Sequence, residues 1–424
     1  MDTKILDALE ACYADEMDLV RTDLEAAESW VADLLRRIGR GMLERVVSKG
    51  PNGYMGSSIL CDCGASMRFV AHRSKKIHTL FGWIELERAY YHCPECGRGC
   101  FPYDRASGLG SECLSAGMAK ACCLLAVDDS FSQSAQKIKE LFGEQVSEKT
   151  IERVVHQVGS AVLERRRGRL DELLGDKDKQ MPASEHRPER LYVAADGTTV
   201  HEIDGWHESK VGCVYWEDEG FRRRQRYVAG FDNSARFGWY LWQEACRCGL
   251  RDAREVVYLG DGAGWIRCIH DEHFSRATFI VDWYHAQQHV WDCARVLFGD
   301  GTEGARQWAE YGCGLLWDGR SRKLLKDLQR RRKRHRGRKR EAIEGLYRYV
   351  RTNRERMRYD VFRAKGYDIG SGAVEGACKY VVGKRLKQSG MIWTRQGSST
   401  TLALRIIWLN EEWDQLWSQK PLVA

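Results

Sequence analysis

The feature that most constrains the fold occurs twice: a short apolar run ends in an acid, and small residues follow. Leu191-Tyr-Val-Ala-Ala leads into Asp196, and Glu255-Val-Val-Tyr-Leu-Gly leads into Asp261. Such runs are typical of buried strands, and their alternation with helical segments predicts a mixed α/β sheet. Further along, Gly370-Ser-Gly-Ala-Val places Glu375 one turn into a predicted helix. The sequence therefore predicts two acids at strand ends and a third on a helix.

The chemistry that such a trio offers is the binding of hard divalent cations. Mg²⁺ and Mn²⁺ take carboxylate oxygens, and a close pair of ions can hold the attacking and leaving oxygens of a phosphoryl transfer. Each acid also has an ordinary structural interpretation, because an acid after a strand commonly forms a turn or caps the next helix. Glu375 lies four residues before Lys379, which is the spacing of a surface ion pair. Asp282 ends another apolar run and is the alternative to Asp261 as a metal ligand.

The rest of the chain divides into regions by its apolar periodicity and its turn residues. Strand-like runs at 210–216 and 224–231, joined by a hairpin turn, extend the sheet that contains Asp196. The predicted regions are an N-terminal helical region (1–50), a strand-rich module (51–108), a helical region (109–180) with a polar linker at 176–184, an α/β core (190–283 and 366–415) and a basic helical insertion (284–365).

Four cysteines bracket the strand-rich module with the spacing of a metal site. Cys61 and Cys63 precede the strands, and Cys93 and Cys96 follow them. Four thiolates from two turns suit tetrahedral Zn²⁺, which in a complete set of four cysteines is structural. The pair at 61 and 63 is tighter than usual, so Cys100 is a possible substitute, and buried free cysteines or a redox pair are the alternatives. We expect a zinc-ribbon-like module.

Basic residues in the insertion predict contacts with nucleic acid. The block from Arg330 to Arg340 contains no acid. Such a block can neutralise DNA phosphates, although a solvated surface is the ordinary interpretation of a charge run. Its members are Arg330, Arg331, Arg332, Lys333, Arg334, Arg336, Arg338, Lys339 and Arg340, and a second group, Lys384, Arg385 and Lys387, follows Glu375. The predicted helices at 131–158 suit either a helix-turn-helix or a plain helical hairpin.

The cysteine content also bears on the compartment. The chain has 16 cysteines, and its first 21 residues are acidic and lack the apolar core of a secretion signal. No apolar run approaches the length of a membrane span. We therefore expect reduced or metal-bound cysteines and a cytoplasmic, nucleoid-associated protein that does not contact membranes.

Taken together, these motifs resemble those of a known family. The order Asp, Asp, helical insertion, Glu resembles the DDE transposases, which have an RNase-H-like core. The local sequences around Asp196, Asp261 and Glu375 are similar to those of bacterial insertion-sequence transposases of the ISKra type, related to the Mutator-like group. Asp282-Trp-Tyr-His285 and Arg385-Leu-Lys-Gln-Ser-Gly-Met391 match further motifs of that group. The resemblance covers about residues 50–415.

The resemblance implies a function. Asp196, Asp261 and Glu375 would be the catalytic carboxylates and hold two Mg²⁺ or Mn²⁺ ions. Asp282 and His285 would then be supporting groups that orient Asp261. The protein would nick transposon ends and join them to target DNA, acting as a homo-oligomer on double-stranded DNA. An RNase-H-like nuclease or resolvase without strand transfer is one alternative. A zinc-bearing DNA-binding regulator, whose acids are structural, is another.

Overall fold

The computed structural model describes residues 3–109, 113–175, 184, 186–218, 220–370 and 372–418. The predicted linker at 176–184 lies almost entirely outside these residues. The chain forms two compact units, one of Met1–Ala161 with Asp414–Ala424 and one of Val162–Trp413. Among the helices in the described part of the chain, none is both long enough and apolar enough to cross a membrane.

The first unit combines helices with an antiparallel sheet. Its strands follow one another in the order β1-β2-β3-β4. Its elements are α1 (Thr3–Val20), α2 (Leu24–Lys49), β1 (Ser58–Leu60), β2 (Ser66–Thr79), β3 (Gly82–His92), β4 (Gly99–Cys100), α3 (Pro102–Ser107), α4 (Ala116–Ala126), α5 (Phe131–Phe142) and α6 (Glu148–Gly175), the last of which continues into the second unit.

Local sequence signals explain where these elements begin and which faces they bury. The carboxylate of Asp23 caps α2 by accepting from the backbone N–H of Glu25 at 3.0 Å. Ser130 and Gln133 form a reciprocal capping box at the start of α5. In the first half of β3 alternate residues are buried, and Ile84 and Leu86 pack on the apolar side chains of α2. Further along the strand, Ala89 and Tyr91 on the opposite face are buried in a second apolar cluster.

The second unit contains a five-stranded mixed sheet. The strand order is β7-β6-β5-β8-β9, in which β5, β6 and β7 pair antiparallel and β5, β8 and β9 pair parallel. The elements that build it are β5 (Arg190–Glu202), β6 (Gly205–Glu217), β7 (Arg223–Gly230), α7 (Ser234–Arg247), β8 (Glu255–Gly260), α8 (Gly264–His273) and β9 (Thr278–Val281). The expected mixed α/β sheet is therefore present.

Helices follow β9 to the end of the described chain. They are α9 (Trp283–Phe298), α10 (Glu303–Trp317), α11 (Ser321–Arg334), α12 (Gly337–Asn353), a 3₁₀ turn (Arg354–Met357), α13 (Tyr359–Ala364), α14 (Gly372–Ala377), a π-helical turn (Cys378–Gly383), α15 (Lys384–Leu386), α16 (Arg395–Leu409) and α17 (Trp413–Ser418). Within the insertion, α9 packs on α10 and α12, and α11 packs on α12.

One expectation about the sheet is wrong, because Asp196 does not end its strand. The residues after it remain paired with β6, from Asp196 opposite Val211 to Glu202 opposite Gly205. The parallel partner β8, by contrast, pairs with β5 only as far as Ala194. Asp196 therefore lies where β8 leaves β5 while the hairpin with β6 continues.

Candidate active site

The strand registers place three acids side by side along one edge of the parallel strands. Ala194 pairs with Leu259, so two residues further on Asp196 lies beside Asp261. Gly260 pairs with Val281 in turn, which sets Asp261 beside Asp282. The backbone N–H of Asp282 donates to the carbonyl of Gly260 at 2.9 Å and so extends this register. The acids of three consecutive parallel strands therefore form one row, to which we refer as the acid row.

Asp196 is the member of the acid row that lies within a strand, and its surroundings disfavour its charge. Burial raises its pKa above the ordinary value of an aspartate, and the nearby charge of Asp261 raises the pKa further. Two contacts act in the opposite direction. The Gly197 N–H donates to Oδ1 at 2.7 Å, and the thiol of Cys378 donates to Oδ2 at 3.6 Å. A cation between Asp196 and Asp261 would relieve this unfavourable electrostatic situation.

Asp261 lies in the tight turn between β8 and α8. Its Oδ1 accepts from the backbone N–H of Ala263 at 2.7 Å, which fixes the side chain over the turn. The turn needs glycine at 262, where φ is +86° and where an added Cβ would lie 3.1 Å from the Asn353 amide. The hydroxyl of Tyr349 donates to the carbonyl of Asp261 at 3.1 Å. The position of Asp261 is thus fixed from its own turn and from α12.

Asp282 is the most deeply buried acid of the row, and it has a structural partner. It is 3% exposed, and its Oδ1 accepts from the backbone N–H of His285 at 2.5 Å, capping α9. The His285 ring faces His289, with 4.9 Å between the ring centroids. The charge of His285 also lowers the pKa of Asp196, against the larger effect of burial, so the imidazole lies near the row.

Glu375 lies apart from the acid row, on α14. Its Oε1 is 2.7 Å from the Lys379 ammonium, and its side chain is 55% exposed. The surface ion pair that the spacing allowed is therefore present. The residue of this segment that touches Asp196 is Cys378, three positions after Glu375 and at the start of the π-helical turn. Within the described residues, no three oxygens from Asp196, Asp261 and Glu375 lie within 4.8 Å of one another.

Three side chains near the acid row, those of Cys378, Tyr349 and Asn353, were not predicted from the sequence. Cys378 could have been found, because a residue three positions after Glu375 shares its helix face. Burial and the charge of Asp196 raise the pKa of this thiol, so it remains protonated and donates. Tyr349 and Asn353 reach Asp261 and Gly262 from the insertion, nearly 90 residues downstream. Their spacing of four residues on α12 indicates a shared face but not what that face contacts.

The four cysteines of the strand-rich module converge. The sulfurs of Cys61 and Cys96 are 3.6 Å apart, those of Cys63 and Cys93 are 3.7 Å apart, and all four lie within 4.8 Å of one another. Cys61 and Cys63 lie in a turn closed by Gly64, and Cys93 and Cys96 lie in a turn closed by Gly97. Both glycines have positive φ. Backbone N–H groups, that of Cys96 first, lower the pKa of Cys93 to about 7. This geometry is that of a tetrahedral Cys₄ site.

Cys100 does not belong to this cluster of four. It is buried on β4 beside Cys61 and Cys93 in the apolar core of the module. Its sulfur is not among the four that lie within 4.8 Å of one another. The proposed substitution of Cys100 for a member of the Cys61 and Cys63 pair is therefore not needed.

The basic residues after Glu375 separate into exposed and buried side chains. Lys387 is exposed, and its ammonium lies 2.5 Å from the Thr198 hydroxyl, two residues beyond Asp196. Lys384 is exposed beside the Tyr380 ring. The expectation that Arg385 binds DNA is wrong, because its side chain is fully buried against the Trp393 ring, with one N–H on Met391 Sδ. Its role is in packing.

The basic block forms the corner between α11 and α12. Most of its cations are exposed, namely Arg330, Lys333, Arg334, Arg336, Arg338, Lys339 and Arg340. Arg331 instead pairs with Asp327 at 2.7 Å, and Arg332 pairs with Glu344 at 2.8 Å. The Arg332 pair joins α11 to α12, whereas Arg331 pairs within α11 and lies over the rings of Phe298 and Trp308. The surface that the block offers to a polyanion therefore consists of its other members.

The possible helix-turn-helix consists of α5 and α6. The Ser147 hydroxyl accepts from the Thr150 N–H at 3.2 Å and caps α6, as the sequence suggested. Buried Ile151, Val154 and Val158 form its inner face. However, α6 continues to Gly175, well beyond the segment expected to enter a major groove. The geometry of a long helix in a hairpin is compatible with either interpretation.

A second cluster of possible metal ligands lies at the tip of the β5–β6 hairpin. Glu202, Asp204 and His207 have ligand atoms within 4.8 Å of one another. Glu202 is fully buried, but its Oε2 lies 3.0 Å from the guanidinium of Arg395, and its Oε1 accepts from Ser398 at 2.7 Å. This acid is therefore neutralised by the protein itself.

Comparisons with known proteins place the chain in a family. The sequence model of the uncharacterised protein family UPF0236 matches residues 24–413. A UPF0236 protein of Caldanaerobacter subterraneus subsp. tengcongensis is 22% identical over 410 residues, covering 92% of this chain and 79% of its own length. Another from the same organism is 22% identical over 394 residues, covering 89% and 72%. The chain belongs to the UPF0236 family.

Proposed function

We propose that this member of the UPF0236 family is a DDE-type DNA transposase with an RNase-H-like core, which cleaves transposon ends and joins them to target DNA. The observation that carries the proposal is the acid row, in which Asp196 on β5 lies near Asp261, the residue that directly follows the neighbouring parallel strand β8. The strand order β7-β6-β5-β8-β9, three antiparallel strands continued by two parallel ones, supports the core that the family resemblance implies.

The donor set of the row fits a pair of hard divalent cations. Burial, and to a smaller degree the charge of Asp261, raise the pKa of Asp196, so a cation beside this carboxylate would favour its charged form. Two Mg²⁺ or Mn²⁺ ions bound there would supply charge stabilisation for a pentacovalent phosphate and would activate a water or a 3′-hydroxyl. The chain contributes a fixed geometry, because both aspartates are held by backbone N–H groups within hydrogen-bond distance.

The strengths of the interactions that Glu375 and Asp282 already make favour Glu375 as the third acid that reaches the ions. An exposed ion pair at this spacing is worth only about 0.3–0.5 kcal/mol, so Glu375 can exchange Lys379 for another cation at little cost. Asp282 is buried and caps α9, an interaction worth about 1 kcal/mol. It therefore retains its partner and orients His285. The π-helical turn after Glu375 is of the kind that is frequent at functional sites.

The exposed cations give the site a means of holding DNA. Lys387 lies beside Thr198 on the strand of Asp196, where its ammonium can pair with a phosphate of the cleaved strand. The exposed members of the basic block add sequence-independent phosphate contacts. Base recognition then falls to residues 50–160, which include α5 and the first part of α6.

The relatives add an independent argument. The name of one UPF0236 protein of Caldanaerobacter joins eleven designations from that organism, and another joins four. A name of this form is what a protein encoded at many places in one genome would receive, and multiplication within a genome is what transposition produces. We therefore interpret the multiplicity as support for a mobile element.

We also propose that Cys61, Cys63, Cys93 and Cys96 hold a structural Zn²⁺. Tetrahedral Zn–S bonds of about 2.3 Å require sulfurs roughly 3.5–4 Å apart, and the sulfurs of Cys61 and Cys96 and those of Cys63 and Cys93 are 3.6 and 3.7 Å apart. A complete set of four thiolates leaves no position for water, so the ion stabilises the module and takes no part in the chemistry.

The experiment that tests the function uses the DNA that flanks the gene. The purified protein is incubated with duplexes that carry the flanking ends and with Mg²⁺, and nicking and strand joining are followed on sequencing gels. Joined products that disappear in Asp196→Asn, with DNA binding retained, are the expected result. Nicking without joining would indicate a nuclease or resolvase instead. Binding without any cleavage, unaffected by the substitution, would indicate a regulator.

A further inference from the structure

The helical insertion contains a second basic surface, away from the block at 330–340. A groove of about 630 Å³ opens between the turn that precedes α11, the first turns of α11, and the 3₁₀ turn that follows α12. One wall carries Gly319, Ser321 and the cations near them, and the other is the segment that begins at Arg354. We refer to it as the 320–358 groove. Its cationic side chains are Arg320, Arg322, Lys323, Lys326, Arg354 and Arg358.

The charges of this groove are poorly balanced by the protein. Glu355 is the acid among the residues that line it, and its carboxylate is bound by Arg354 at 2.7 Å. That contact lowers the pKa of Glu355, and the charges of Arg358 and Arg322 lower it further, so guanidinium groups from both walls face the same space. On α10, by contrast, Arg306 pairs with Glu303 at 2.7 Å.

The exposure of the cations makes them available to a ligand. Arg320, Arg322, Lys323, Lys326 and Arg358 are exposed, whereas Ser321 beside them is buried and anchors the start of α11. Like charges that converge in a groove repel one another within the roughly 8 Å over which physiological salt leaves charges unscreened. A polyanion in the groove would remove that repulsion and release its own condensed counterions.

The position of the groove connects it to the acid row. On α12, Tyr349 donates to the carbonyl of Asp261, and Asn353 lies against Gly262. Arg354 follows Asn353 directly, so five residues, or about 8 Å of helix, separate the contact with Asp261 from the wall of the groove. The basic block lies at the other end of α11, roughly 20 Å along the helix.

We propose that the 320–358 groove binds the phosphodiester backbone of duplex DNA as a second, sequence-independent contact of the DNA engaged at the acid row. This inference rests on the proposed function. The groove and the basic block are two phosphate-binding surfaces at opposite ends of α11, so a single duplex can follow the helix from one to the other. Guanidinium and ammonium groups that contact phosphates position the duplex and read no bases.

The test compares two triple variants that remove the same charge. Arg320→Gln/Arg322→Gln/Lys326→Gln removes three exposed cations of the groove. The matched control, Arg251→Gln/Arg276→Gln/Lys365→Gln, removes three exposed cations of the same unit near the starts of β8 and β9, the opposite ends of these strands from the acid row. Equilibrium binding of a random-sequence duplex is measured over a range of salt concentrations without added divalent metal, and thermal unfolding is recorded for all proteins.

We expect the groove variant to bind the duplex about ten-fold or more weakly, with a salt slope flattened by roughly 0.9 for each phosphate that the groove no longer neutralises. The control variant should bind as the unaltered protein does, and neither variant should unfold at a lower temperature. Equal weakening in both variants, or an unchanged slope in the groove variant, would overturn the inference and leave the transposase proposal standing. An unaltered protein that binds no duplex DNA would instead overturn the proposed function and the inference with it.

Discussion

Glu375 Oε1 lies 2.7 Å from the ammonium of Lys379, and this pair distinguishes two roles for the acid. If Glu375 serves only the surface pair, then removal of either partner has the same small effect. If it moves to the ions at the acid row, then only its own removal abolishes the reaction.

We therefore predict that Glu375→Gln abolishes strand joining, whereas Lys379→Met leaves the rate within about three-fold of the unaltered protein, because an exposed pair is worth under 1 kcal/mol. Both variants should unfold at the same temperature. Joining assays on the two variants, made in parallel, provide the measurement. Equal activity of the two would assign Glu375 to the surface pair and make Asp282 the third acid.

Asp196 should make the metal-free protein less stable at neutral pH. Its folded-state pKa is raised, so at pH values between the unfolded pKa of 3.8 and the raised pKa the native state binds more protons than the unfolded state, and stability falls as pH rises through this window. Asp196→Asn removes this pH-dependent loss of stability, because the amide does not ionise. We expect the variant to unfold at a higher temperature than the unaltered protein at neutral pH without Mg²⁺, and the difference to vanish in acid.

Mg²⁺ provides the complementary measurement on the same pair of proteins. A ligand that binds only the native state stabilises it by mass action. Added Mg²⁺ should raise the unfolding temperature of the unaltered protein and leave that of Asp196→Asn almost unchanged. A metal-induced rise of the same size in both would show that the ions bind somewhere other than the acid row.

The cysteine cluster predicts one bound zinc ion per chain. Cys63→Ser should lose the metal and destabilise the module, because the sulfur of Cys63 lies 3.7 Å from that of Cys93. Cys12→Ser, which alters an exposed cysteine on α1, is the control and should retain the full zinc content. The measurement is elemental analysis of protein purified without chelator. An unaltered protein that contains no zinc and has four reactive thiols would contradict the prediction of a zinc site.

Within the basic block, internal and external arginines should behave differently. Arg334→Gln/Arg336→Gln should flatten the salt dependence of DNA binding by roughly 0.9 for each phosphate left without its cation, with no change in stability. Arg331→Gln/Arg332→Gln should instead destabilise the protein by about 1 kcal/mol, because the two half-buried side chains pair with Asp327 and Glu344. Chemical denaturation and binding isotherms on both variants separate the two effects. If the two double variants changed DNA binding and stability in the same way, the distinction between exposed DNA-binding arginines and half-buried structural arginines would not hold.

The sequence predicted the elements of the acid row better than it predicted their neighbours. Asp261 and Asp282 were recognisable because an apolar run stops at each of them, and a parallel sheet collects such residues at one edge. The end of the strand at Asp196 was misplaced. Gly197, Thr198 and Thr199 resemble a turn, yet they continue β5 because the antiparallel partner β6 supplies hydrogen bonds that no local pattern reveals.

The sequence alone could not predict the roles of side chains that depend on burial. Lys384, Arg385 and Lys387 form one basic group in the sequence, but Arg385 is enclosed beside Trp393 while Lys387 reaches Thr198. Which member of a charged run faces the core is decided by helices packed against it from elsewhere in the chain. The same limit applies to Tyr349 and Asn353, whose contacts with the turn of Asp261 are set by how the insertion folds back.

The parallel pairing of β5 with β8 has a consequence for the cell that makes this protein. Two strands and a helix separate them in the chain, so their pairing is a long-range event that must await the synthesis and docking of everything between. Glu375 emerges from the ribosome later still. On the proposed function, a nascent or misfolded chain would therefore have neither neighbouring aspartates nor a third acid, and the capacity to cut DNA would arise only once folding is complete. If the proposed function holds, this topology would protect the genome of the host from incomplete copies of the protein.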